Sequence, residues 1–61
     1  MKELKELRKT LGLTQEQMAK EINVSRQLIM MIENGKRKPS TGFIKNLKEK
    51  YSFIDIYIFL K

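Results

Sequence analysis

Residues that stop helices and residues that start them alternate along this chain, and their spacing constrains the fold more than any other feature. Gly12, Asn23 and the pair Asn34-Gly35 can each take the left-handed backbone angles that end a helix. Thr14, Ser25 and Ser40 stand a few residues beyond them. Their side-chain oxygens suit the N-cap, where they accept a hydrogen bond from a free helical amide. A chain cut in this way can form only short helices with tight connections.

The apolar residues fit that division. Leu4, Leu7 and Leu11 recur at helical spacing between Lys, Glu and Arg, which predicts a first helix over Lys2–Leu11 that Gly12 stops. Leu13 then points back to the core. Thr14 with Gln17 forms a capping-box pattern ahead of a second helix, Gln15–Ile22. At about 100° per residue, Met18, Ala19 and Ile22 share one arc of it, and Glu16, Gln17, Lys20 and Glu21 lie outside. Asn23 and Val24 lead to Ser25 through a turn of about three residues, the length of a helix-turn-helix. The third helix is expected over Arg26–Glu33, followed by the basic loop Lys36-Arg37-Lys38-Pro39. Ser40 caps a fourth, Thr41–Lys50, on which Phe43, Ile44, Leu47 and Tyr51 form the core face. Phe53–Lys61 reads two ways, as a strand alternating about Ile54, Ile56, Ile58 and Leu60, or as a short fifth helix. The helix is preferred. Either way the tail offers more apolar surface than one small core absorbs, and such patches mark interfaces.

Composition narrows the function. A 61-residue chain is one small domain over 1–61, and a domain of that size buries only about 60% of its unfolded surface. A partner subunit would help it, since no cysteine is present to staple it. Histidine is absent too, which removes the commonest general base and metal ligand. Ser25, Ser40 and Ser52 therefore have no base to activate them, and the three glycines are too scattered for a phosphate-cradling loop. No metal cluster emerges from the seven carboxylates, so no enzyme, cofactor or small-molecule ligand is expected. Thirteen basic residues against seven acidic ones favour a polyanionic partner. RNA is disfavoured for want of an aromatic platform. The start has no apolar signal core, and the apolar tail is far short of the ~20 residues of a membrane span. A cytoplasmic location without membrane contact is expected.

The third helix carries the functional argument. On a wheel, Ile29 and Ile32 point one way, flanked by Leu28 and Glu33. The opposite arc holds Gln27, Met30, Met31 and Asn34, with Arg26 at its edge. Two methionines thus occupy positions where a solvent-facing helix would carry charge. Burial on all sides is disfavoured, because Arg26, Gln27 and Asn34 would resist it. A major groove suits the arc, because Arg bonds guanine, Gln bonds adenine and an apolar side chain meets the thymine methyl. A protein-docking face is the third reading, since flexible methionines suit adaptable binding.

The stretch LTQEQMAKEINVSRQLIMMIENGKRKPS, Leu13–Ser40, resembles the helix-turn-helix of the phage repressor family, the Cro/CI or xenobiotic-response-element type. The family pattern has a Leu-Thr-Gln start, a small residue in mid-helix, Gly-Val-Ser at the turn and a Glu-x-Gly-Lys-x-x-Pro-Ser end. Asn23 replaces the usual glycine, and the Leu28–Met31 run is unusually apolar. The resemblance implies an all-α, compact five-helix domain whose second and third helices form the motif. It implies base reading by Arg26, Gln27, Met30 and Met31, and phosphate contacts by Gln15, Asn34, Lys36, Arg37 and Lys38. Arg8 and Glu33 match an ion pair that clamps the reading helix in some members. With the family habit, the apolar tail implies a homodimer interface at Ile56, Tyr57, Phe59 and Leu60.

The expected function is therefore a sequence-specific regulator of transcription, a minimal repressor or autoregulator with no room for an effector domain. It would bind a palindromic site on double-stranded DNA as a homodimer. The alternative is a protein-interaction module, such as an antitoxin, that docks a partner through the methionine face or the tail.

Overall fold

The computed structural model describes residues 1–59. Four α-helices follow one another, α1 (Lys2–Thr10), α2 (Gln15–Glu21), α3 (Arg26–Glu33) and α4 (Thr41–Lys50). No strand occurs among the described residues. The helices are short because three of them end in one device, the Schellman motif. After α1, Gly12 takes φ +70°, its N–H donates to Lys9, and the N–H of Leu13 donates to Arg8. After α2, Asn23 holds φ +60°, with Asn23 N–H to Lys20 and Val24 N–H to Ala19. After α3, Gly35 at φ +74° repeats the pattern through Ile32, and Lys36 N–H reaches Met31. Asn23 is the one non-glycine in such a conformation among the described residues. Asparagine tolerates the left-handed region better than most side chains.

Each following helix is capped at its start. Thr14 Oγ1 accepts from Gln17 N–H at 3.1 Å while Thr14 N–H donates to Gln17 Oε1 at 2.9 Å, a complete capping box. Ser25 accepts from Leu28 N–H and Ser40 from Phe43 N–H, both at 3.1 Å. Stop and start signals so close together turn the chain sharply, and both α1 and α2 pack on α3.

The core draws on every element. Leu4 of α1, Met18 and Ala19 of α2 with Ile22 at its C-cap, Ile29 and Ile32 of α3, and Phe43, Ile44 and Leu47 of α4 are buried together with Tyr51, Ile54 and Phe59. Two polar latches join α4 to α2. Tyr51 Oη donates to Glu21, and Asn46 Nδ2 donates to the Ile22 carbonyl at 3.4 Å. Burial and the Glu21 carboxylate push the Tyr51 phenol well above its ordinary value, so it stays a donor.

The tail departs from the expected fifth α-helix. Ile56–Phe59 forms one 3-10 turn. Lys48 Nζ donates to the carbonyls of Ser52 at 2.6 Å and Ile54 at 2.8 Å, which folds the chain back over α4. Asp55 Oδ1 then accepts from Tyr57 N–H at 3.0 Å. These side-chain bonds take up the backbone groups that an α-helix would have paired. Phe59, expected on a dimer face, is instead a core residue at 5% exposure, because the 3-10 turn rotates it inward. Leu60 lies outside the described residues. No helix among them is long and apolar enough to cross a membrane.

Candidate nucleic-acid interface

α3 is two-sided. Ile29 and Ile32 are fully buried, and Leu28 is half-buried against the same core. Arg26, Gln27, Met30 and Asn34 are exposed on the other side. Met31 is half-buried, so the two neighbouring methionines differ in what they offer to solvent. The adjacent loop exposes Lys36, Arg37 and Lys38. Between Arg26 and Ser40 the chain carries four basic residues and a single acid, Glu33.

That acid is turned inward and used. Arg8 Nε donates to Glu33 Oε2 at 2.7 Å and Arg8 Nη2 donates to Oε1 at 3.1 Å, a bidentate pair between α1 and α3. The Glu33 side chain is 3% exposed and that of Arg8 12%. Arg8 Nη1 also donates to the Leu13 carbonyl at 2.9 Å, which holds the α1–α2 connection to the same pair. Burial pushes the Glu33 carboxyl upward. Hydrogen bonds from Arg8 and Gln15, with the charges of Arg8 and Lys5, outweigh that and hold it below the ordinary carboxylate value. The hydrogen bond to Glu33 raises the Arg8 guanidinium against the opposing effect of burial. The pair therefore stays ionised at neutral pH, and the single acid of the segment is neutralised before it can oppose the basic loop.

Gln15 sits at the start of α2 and is half-buried. Its Nε2 donates to Glu33 Oε1 at 3.2 Å. A carboxamide carries two N–H donors, so one remains for another acceptor. Arg8, Thr14, Gln15, Glu16 and Arg26 together line a polar cleft of about 500 Å³ at the junction of α1, α2 and α3. At the far end of α3, the α-amino group of Met1 donates to the carbonyls of Ile32 and Glu33, the latter at 2.6 Å. A positive charge at a helix C-terminus is favourable against the helix dipole.

Two contacts carry no clear sequence signal beforehand. The hydrogen bond from Gln15 to Glu33 spans 18 positions and depends on how α2 and α3 cross. The reach of Lys48 to the Ser52 and Ile54 carbonyls depends on how the tail lies against α4. In the tail, Phe53 and Tyr57 are 69% and 73% exposed, Ile58 is 37% exposed and Ile56 is half-buried.

Two helices joined through a left-handed turn, the second of them anchored on one face and free on the other, define a helix-turn-helix domain. The chain matches the helix-turn-helix family over residues 4–52 and belongs to its Cro/CI type. It is 46% identical over 50 residues to the uncharacterized HTH-type transcriptional regulator YqaF of Bacillus subtilis (strain 168), a match covering 82% of this chain and 66% of the relative. An uncharacterized HTH-type transcriptional regulator of Methanothermobacter thermautotrophicus (strain Delta H) is 49% identical over 37 residues, 61% of this chain and 54% of the relative. The chain thus spans just under two thirds of the first relative's length and about half of the second's. No solved structure matches it.

Proposed function

We propose that the chain is a sequence-specific DNA-binding regulator of transcription that lays the free face of α3 in the major groove. The observation that carries this reading is the juxtaposition of that face, with Arg26, Gln27 and Met30 exposed, and the exposed loop Lys36–Lys38 beyond its end. Bidentate Arg and Gln contacts distinguish bases, while Lys and Arg on a loop neutralise phosphates without reading sequence. Asn34 and the second N–H of Gln15 add neutral phosphate contacts at the two edges of the groove.

The two kinds of contact separate by experiment. Gln27→Ala is expected to weaken binding to the selected operator by about 1–3 kcal/mol while leaving random duplex DNA almost unchanged. Lys36→Ala is expected to weaken both about equally and to reduce the slope of log affinity against log salt by about 0.9. Fluorescence anisotropy across a salt series measures both. Equal losses on operator and random DNA from Gln27→Ala would remove the residue from the reading set.

The active form in this proposal is a homodimer on a palindromic operator, with half-sites ~10 bp apart on one face of the duplex. The exposed Phe53 and Tyr57, with Ile56 and Ile58 beside them, supply the contact. Regulation is then a minimal repression, by occupancy of the operator alone. Tyr57→Lys is expected to shift sedimentation at micromolar concentration from dimer to monomer while leaving the helical circular dichroism intact. A wild-type chain that sediments as a monomer and still binds a palindrome without cooperativity would overturn the dimer.

A further inference from the structure

The seam between α4 and the tail is a groove and not a closed contact. Thr41, Ile44, Lys45 and Lys48 stand at helical spacing along one side of α4, and with Glu49 and Ile56 they line a space of about 480 Å³. Its wall is almost wholly carbon, made by the two isoleucines and the aliphatic stems of the lysines. Sites for small molecules run to roughly 300–1,000 Å³, and this groove falls within that range. None of the residues assigned above to DNA contact lies in it. The charged ends of the lining stand beyond the apolar wall. Lys48 Nζ donates to the carbonyls of Ser52 at 2.6 Å and Ile54 at 2.8 Å. An ammonium has three N–H donors, so one remains. Lys45, one turn away, is exposed, and neither lysine is paired with a carboxylate among the described residues. Glu49 is the single acid of the lining against these two ammonium groups, so the rim is positive on balance.

We propose that the groove between α4 and the tail is a binding site for a free fatty carboxylate of medium chain length. The inference stands independently of the DNA-binding reading above. Two features select the occupant. The carbon wall takes an apolar body and offers a sugar, a base or a peptide amide no hydrogen-bonding partner along its length, which makes those ligands costly to desolvate there. The ammonium groups of Lys45 and Lys48 take an anionic head at the mouth, where the third N–H of Lys48 accommodates a carboxylate oxygen without releasing the tail carbonyls. A ligand seated in this way touches Ile44 of α4 and Ile56 of the tail together, and so pins the tail in the pose that Lys48 already gives it. The sequence alone raises no expectation of such a ligand, because Ile44 and Ile56 belong to separate elements and share a groove only once the tail folds back.

Titration of the full chain with hexanoate, octanoate and decanoate, each below its micelle threshold, tests the site by methyl NMR. Saturable shifts are expected at the methyl groups of Ile44 and Ile56, with little change at Ile29 and Ile32 in the buried face of α3. Affinity should rise about two- to fourfold with each added methylene, the upper value being that of a fully buried one. Decanol should bind more weakly than decanoate. Lys45→Ala, a change at an exposed position, should weaken decanoate about two- to fivefold, as loss of a surface ion pair does, and leave decanol unchanged. Lys9→Ala, on α1 and outside the groove, should alter neither. Absence of shifts at Ile44 and Ile56 would overturn the proposal. Equal binding of decanol and decanoate would do so too, as would equal losses from Lys45→Ala and Lys9→Ala. Shifts spread over the whole chain would show the unspecific action of a detergent, which also overturns it. Sedimentation with phosphatidylglycerol vesicles, without a response to decanoate, would assign the surface to a membrane instead.

Discussion

Glu33→Ala is expected to destabilise the fold by about 3 kcal/mol, because it leaves the Arg8 guanidinium nearly buried without its partner. The pair joins α1 to α3, its carboxylate is 3% exposed, and Gln15 donates to the same carboxylate. Domains of this size rarely hold more than about 3–5 kcal/mol from a single core, so the variant should be substantially unfolded at room temperature. Urea denaturation followed by circular dichroism measures the loss. Removing both charges at once, as Arg8→Met with Glu33→Leu, should recover most of the stability, since an apolar pair of similar volume avoids the cost of desolvating two ions. Failure of the double variant to recover would show that the pair's geometry, and not the orphaned charge, controls the position of α3. The same pair sets an acid limit. Glu33 binds a proton less readily folded than unfolded, so its contribution is complete above the unfolded carboxyl value near 4.3 and declines as pH falls through the lower folded value. Stability measured against pH should therefore fall less steeply on acidification in Glu33→Gln than in the wild type.

Ile29→Ala should cost about 2–4 kcal/mol, since Ile29 is fully buried at the centre of α3's inner face and its truncation leaves a cavity. Met30→Ala, one residue further along, should stay within about 0.5 kcal/mol of the wild type, as substitutions on an exposed face do. The contrast tests the division of α3 directly, because a helix buried on all sides would lose comparable stability from both. Thermal unfolding of the two variants under one condition decides it. The difference also has a functional meaning. Under the proposed function, α3 can present side chains to DNA with a fixed geometry only if its other face is held, and Ile29, Ile32 and the Glu33 carboxylate hold it.

The helix boundaries were legible because their causes are local. Positive φ at Gly12, Asn23 and Gly35, and caps at Thr14, Ser25 and Ser40, involve backbone and side-chain atoms no more than a few residues apart. The buried arc of α3 was legible for a related reason, since a period near 3.6 residues assigns Ile29 and Ile32 to one side whatever they pack against. The tail was not legible in this way. Alternation and helical spacing both fit Phe53–Leu60, and nothing nearby announces that Lys48 will take two tail carbonyls or that Phe59 will enter the core. Met30 and Met31 fell on one arc of the wheel, yet about 100° of rotation between neighbours leaves one exposed and the other half-buried.

By itself, then, the amino-acid order determined where helices start and stop, which arc of each is apolar, and that the third must keep a basic, methionine-bearing side outward. Those properties depend on backbone conformations and periodicities that each segment carries alone. Only the tertiary structure decided that Gln15 and Arg8 share one carboxylate, that Phe59 faces inward while Phe53 and Tyr57 remain exposed, and that Ile44 and Ile56 share one groove. These outcomes depend on the angles at which helices cross and on side chains reaching over many positions of sequence, and no local rule contains that information.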